Sequence, residues 1–105
     1  MKEIEYRAGL LLERLGEPVR FQILRFLQDG PKNVSELARL THRHPVTVSG
    51  HLAILRDLHV VRYRNRGLFT FYELKLKQTP QIMDLAVQCA KEIAKSSGKT
   101  KMSSL

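Results

Sequence analysis

The sequence predicts a mainly α fold with one small β-hairpin, in the order α-α-α-α-β-β-α. Three observations carry that order. Apolar residues recur at helical spacing from residue 4 to about residue 58. The pattern then turns β-branched and aromatic over residues 60–74, and helical spacing returns from residue 80. Four of the seven aromatic residues, Tyr63, Phe69, Phe71 and Tyr72, fall in the middle stretch, which favours strand over helix there.

Each element has its own local signals. Residues 4–15 place Ile4, Ala8, Leu11, Leu12 and Leu15 on one helical face, and Gly16 offers a stop. Glu17-Pro18 restarts the chain, with proline suited to the first helical position because its missing N–H is not needed there. The second helix turns Val19, Ile23, Leu24 and Leu27 inward and ends at the breaker Asp29-Gly30-Pro31. Asn33 caps a short third helix, with Glu36 placed three residues on to reach back as in a capping box, and with Val34, Leu37 and Ala38 inward. After a tight connection over residues 41–44, Pro45 opens a fourth helix to about Leu58, whose buried stripe is Val48, Leu52 and Leu55.

Residues 60–64 and 68–74 then read as two strands around a loop of Asn65, Arg66 and Gly67. Thr79-Pro80 caps a last helix over about 80–95. Residues 1–95 are expected to form one domain, followed by a disordered basic tail over 96–105.

Composition narrows the function classes. At 105 residues, 43% of them hydrophobic, the chain suits one domain with a modest core that a partner subunit would extend. No apolar run approaches the roughly 18 residues of a membrane span, and MKEIEYRAG has no apolar export core. The single cysteine excludes an internal disulfide and a multi-thiol zinc site, and fits a cytoplasmic location. No nucleophile–base set or phosphate-cradling glycine loop points to an enzyme, and no cofactor is expected.

The net charge is +8, unevenly placed. Residues 1–30 balance five basic against five acidic groups, whereas residues 31–74 hold seven against three, together with all four histidines. A balanced front and a basic middle fit a dimer-forming helix followed by a polyanion-binding surface.

Two helices joined by a short turn, followed by a basic hairpin, make a winged helix-turn-helix. A helix fits the major groove of DNA, where short polar residues reach base edges and phosphates. On the fourth helix Thr47, Ser49, Gly50 and His51 are not committed to the buried stripe, and Gly50 permits close backbone approach. Arg64, Asn65 and Arg66 would stand at the wing tip, against phosphates or in the minor groove, with Arg43 and His44 adding contacts from the turn.

The residues that carry these features also resemble a known family. Glu17-Pro18-Val19-Arg20-Phe21-Gln22-Ile23-Leu24, Val34-Ser35-Glu36-Leu37-Ala38 and Thr47-Val48-Ser49-Gly50-His51-Leu52 look like the ArsR-type repressors, and Val60–Gly67 and Phe71–Leu74 look like their wing. The resemblance spans about residues 5–95, and it implies a homodimer on double-stranded DNA, at an inverted-repeat operator, released by a ligand or chemical signal. It makes Thr47, Ser49 and His51 recognition-helix contacts, with Arg64 and Arg66 on the wing. It also places the dimer on the first and last helices, here Ile4, Ala8, Leu11 and Leu12 with Ile82, Leu85, Ala86, Cys89 and Ile93. Three positions depart from the pattern: His42 stands where glycine is usual, His44 replaces a serine-like cap and so weakens the capping, and Gly50 replaces a larger polar residue.

Metal sensors of that family carry cysteine pairs on the third helix or a His/Asp/Glu set on the last, and this sequence has neither; no metal site is expected. Cys89 is left with two readings. It sits in the stripe Ile82, Leu85, Ala86, Cys89 and Ile93, where it acts either as a small buried hydrophobe or as a redox thiol facing its symmetry mate. A second stripe, Met83, Val87, Ala90 and Ala94, widens the apolar arc enough to serve both the domain and a partner. Alternatives to a dimeric regulator are a winged-helix protein-interaction module and a sequence-nonspecific architectural DNA binder.

Overall fold

In a computed structural model, residues 2–96 are described, and they follow the expected order of elements. The helices are α1 (Glu3–Leu15), α2 (Pro18–Leu27), α3 (Val34–Thr41), α4 (Pro45–Asp57) and α5 (Thr79–Ser96), with strands β1 (Val61–Arg66) and β2 (Phe69–Leu74) between α4 and α5. Of the expected tail, Ser96 closes α5, and the remainder lies outside the described residues.

The core is where α2, α3 and α4 meet. Ile23, Leu24, Leu37, Val48, Leu52 and Leu55 are fully buried, and Val60, Val61 and Met83 close the cluster from the wing and α5. α1 enters it only by its last turns, through buried Leu15 and half-buried Leu11.

Helix ends follow their sequence signals. Pro18 and Pro45 stand in the first turns of α2 and α4. The Asn33 side chain accepts from the Glu36 amide at 2.8 Å, while Glu36 accepts from the Asn33 amide at 3.0 Å, a complete capping box. The start of α5 differs from expectation. Thr79 is already helical and fully buried, and its hydroxyl has no hydrogen-bond partner, so it does not cap. Ile82 N–H instead bonds the carbonyl of Gln78, which begins the helix one residue earlier.

The wing turn is also tighter than expected. Asn65 and Arg66 belong to β1, paired with Thr70 and Phe69, and the turn is Gly67-Leu68. Gly67 takes φ +61°, the positive value that the first position of a two-residue type II′ turn demands. Leu68 thereby becomes the tip, 99% exposed. On its other side β2 meets Lys32 across a bridge in which Lys32 and Tyr72 exchange both backbone bonds, at 3.0 and 2.8 Å. Tyr63 and Tyr72 therefore face each other as a non-hydrogen-bonded pair, the closer kind, with ring centroids 6.0 Å apart.

Candidate nucleic-acid interface

The α3–α4 connection orients everything that follows. His42 adopts φ 57° and ψ 38°, the left-handed cap that glycine usually supplies, and Arg43 N–H reaches back to the Ala38 carbonyl at 3.1 Å. His44 does more than the sequence suggests. Its Nδ1 accepts the Val46 amide at 3.1 Å, so an imidazole replaces the missing serine-like cap. That bond needs a neutral ring, because a protonated imidazole has no acceptor.

From this start α4 buries Val48, Leu52 and Leu55 and leaves Val46, Thr47, Ser49, Gly50 and Ala53 exposed. Nothing lies within 4 Å of the position a Cβ on Gly50 would take, so this face is smooth and open. His51 departs from the group. It is half-buried, its Nδ1 lies 3.1 Å from Arg20 Nη1, and the Glu17 carboxylate is 3.7 Å away. The imidazole is thus held toward α2 rather than standing free on the outer face. Glu17 also caps α2, accepting the Arg20 amide at 2.9 Å. Desolvation works to raise the Glu17 carboxyl, but the amides of Arg20 and Val19, with the charge of Arg20, outweigh it and hold the group below its ordinary value.

On the wing, strand alternation puts Arg62, Arg64 and Arg66 on one face with Phe69, Phe71 and Glu73. Glu73 accepts from Arg62 at 2.6 Å and lies 3.1 Å from Arg64, so two of the three guanidinium groups share one carboxylate. Among the described residues Arg66, Arg39 and Arg43 have no carboxylate at ion-pair distance. Asn65 lies on the opposite face and accepts the Thr70 hydroxyl at 2.9 Å. The expected trio at the tip is therefore split. Arg66 is its unpaired cation, Arg64 is shared with Glu73, and Asn65 is engaged by β2. Arg56 places its guanidinium 5.5 Å from the Tyr63 ring centroid, a cation–π contact.

The Arg62 hydrogen bond, with the charges of Arg64 and Arg62, holds the Glu73 carboxyl below its ordinary value of 4.5. A lowered carboxyl stabilises the folded wing fully above that value and ceases to as pH falls through the lowered one. Amide exchange across β1 and β2 is expected to stay flat from pH 7 to about 5, after correction for intrinsic rates, and to quicken below about 4. Glu73→Gln should remove the acid step. Loosening that begins on the alkaline side instead would contradict this assignment.

The proposed dimer residues are distributed unequally. Ile4, Leu12, Leu85 and Ile93 are 71%, 57%, 60% and 51% exposed, and Ala8, Ala86 and Cys89 are exposed as well. Leu11 and Ile82, in contrast, pack on their own core. On the single chain Met83 is buried and Val87, Ala90 and Ala94 are half-buried, so that stripe of α5 faces the domain, while Cys89 lies on the exposed face with Leu85, Ala86 and Ile93. Among the described residues no group of three or more His, Cys, Asp or Glu side chains is gathered, and no helix is long and apolar enough to cross a membrane.

Sequence reasoning missed Arg20, Glu17, Arg62, Glu73 and Leu68. For Arg62 and Glu73 the signal was available, because counting from a Gly67-Leu68 turn pairs them directly. Nothing in local periodicity joins Arg20 to His51.

Comparison with known proteins agrees with this architecture. The model of the arsR family of bacterial regulatory proteins matches residues 17–63. The chain is 37% identical over 73 residues to the HTH-type transcriptional regulator KmtR of Mycobacterium tuberculosis, a match covering 70% of this chain and 56% of that protein. The chain thus spans little more than half the length of that relative. HlyU from Vibrio cholerae superposes with a TM-score of 0.76 at 28% identity, covering 85% of this chain and 97% of that one. A homodimeric winged helix-turn-helix DNA-binding domain from Mycobacterium bovis shares the fold, with a TM-score of 0.74 at 21% identity over 96% of this chain and 97% of that one. The matched segment holds α2, α3, α4 and the start of β1, so the winged helix-turn-helix core of this chain is of the arsR type.

Proposed function

We propose that this protein is a sequence-specific DNA-binding transcriptional regulator that acts as a homodimeric repressor at an inverted-repeat operator. The observation that carries the reading is the pairing of two free surfaces. α4 offers an open polar face at Thr47, Ser49 and Gly50, and the adjacent wing offers Arg66 without a carboxylate partner. Arg43 and His44 flank that face from the turn. In this reading α4 enters the major groove, and the wing lies on the backbone or in the minor groove. The exposed apolar residues of α1 and α5 support a dimer, which sets two copies of α4 about 34 Å apart. No metal takes part, since α3 and α5 lack the family's ligand sets in sequence.

The test is fluorescence anisotropy with DNA from upstream of the protein's own gene, against a scrambled duplex, across a salt series. Binding to the native fragment should be at least about a hundredfold tighter, within the specificity range of such proteins. Affinity should fall by roughly 10³–10⁵ between 50 and 200 mM salt if six to ten phosphates are contacted. Equal affinity for both duplexes would point to an architectural binder or to a repressor of distant genes, and no binding at low salt to a protein-interaction module.

A further inference from the structure

Three helices meet at one side chain. Arg20, in the first turn of α2, donates from Nε to the Arg14 carbonyl at 2.6 Å, and its Nη1 lies 3.1 Å from His51 Nδ1 on α4. Its own amide is held by the Glu17 carboxylate at 2.9 Å. The Arg14 carbonyl is among the last four of α1, which have no partner within the helix, so Arg20 satisfies an otherwise orphaned acceptor.

A guanidinium only donates, so the His51 Nδ1 facing it must accept, and the ring carries its proton on Nε2. Besides the contact of Arg56 with the Tyr63 ring at its far end, α4 is held by its apolar stripe, and burial is not directional. A helix packed on leucine and valine alone resists rotation about its axis weakly. A hydrogen bond of fixed geometry sets that rotation, and a planar guanidinium shared between Arg14 and His51 transmits the position of one to the other.

We propose that Arg20 is a positioning residue that couples the end of α1 to the recognition helix through His51. His51 then acts by fixing the pose in which α4 presents Thr47, Ser49 and Gly50, not by reading bases through its outer nitrogen. A displacement of α1, which carries the exposed Ile4 and Leu12, alters the aim of α4 without any contact between α1 and DNA. This inference rests on the DNA-binding reading above.

The two roles of His51 separate cleanly by substitution. Asparagine places its amide oxygen where Nδ1 stands, whereas glutamine extends its amide to the place of Nε2. The native-to-scrambled affinity ratio is measured for His51→Asn, His51→Gln, His51→Ala, Arg20→Met and the double variant Arg20→Met/His51→Ala. Thermal melting and sedimentation check fold and assembly. Coupling predicts that His51→Asn keeps the ratio within about threefold, while His51→Gln, His51→Ala and Arg20→Met each lose about tenfold with the salt slope unchanged. The double variant should lose no more than either single variant. Retention by His51→Gln with loss by His51→Asn, or a double variant that loses about a hundredfold, would show direct base reading and overturn the proposal.

Nitrogen NMR of the free protein keeps the coupling testable if the wild type fails to discriminate between duplexes. The wild type should then show His51 protonated on Nε2, with that preference weakened in Arg20→Met. A proton on Nδ1 in the wild type would reject the contact independently of any DNA.

Discussion

Replacing Leu52 by alanine is expected to lower the free energy of unfolding by about 2–5 kcal/mol, the range for truncating a buried leucine. Leu52 is fully buried at the centre of α4, in the cluster where α2, α3 and α4 converge. The loss combines the transfer of its removed carbons with a cavity that three packed helices close only in part. For a domain of this size, that lowers the melting temperature by more than roughly 10 °C. Ile54 provides the control. It lies two residues away on the same helix, 38% exposed and outside the core cluster. Ile54→Ala should cost about 1 kcal/mol or less. Urea unfolding of both variants decides the matter, and equal shifts would mean that α4 is not anchored through Leu52.

Gly50→Glu separates stability from binding. Glycine inside a helix is roughly 0.8–1 kcal/mol less favourable than alanine, and glutamate is a good helix former. With nothing within 4 Å of the place its Cβ would occupy, the new side chain has open space, so the melting temperature should rise by a few degrees. In the proposed complex, however, it sets a carboxylate toward the phosphates on the face that meets the groove. Like charges brought together at an interface cost several kcal/mol, so affinity should drop by about a hundredfold or more. Gly50→Ala is expected to share the stability gain with a far smaller binding loss. A Gly50→Glu protein that melts higher and still binds normally would remove this face of α4 from the interface.

The order of elements was legible because each helix boundary carries its own chemistry: Glu17-Pro18, Asn33 with Glu36, and Pro45 all stand where sequence signals place them. The left-handed turn at His42 was signalled only through the family resemblance, by a histidine where glycine is usual. The wing turn was misplaced because Asn65-Arg66-Gly67 reads as a loop by composition. Gly67 instead takes the first position of a two-residue turn, which pulls Asn65 and Arg66 into the ladder.

On α5 two apolar stripes of similar character share one helix. Their facing toward the domain or away from it depends on where Met83 meets the core, which periodicity does not encode. His51 failed differently. Its place outside the Val48, Leu52 and Leu55 stripe was right, but its partner stands 31 residues earlier in the chain. The His44 cap escaped notice because a ring nitrogen, not a hydroxyl or carboxylate, does the accepting.

The bridge between Lys32 and Tyr72 has a consequence for self-association. It occupies the outer side of β2, so the exposed edge of the wing belongs to β1. An open strand edge is a template on which another chain can add a strand, and proteins guard such edges with charge. β1 holds three arginines in alternation, Arg62, Arg64 and Arg66, and two identical wings approaching edge to edge bring six guanidinium groups together against only two Glu73 carboxylates. The basic character of the wing thus discourages strand-to-strand polymerisation, which is compatible with the dimer proposed through the apolar surfaces of α1 and α5.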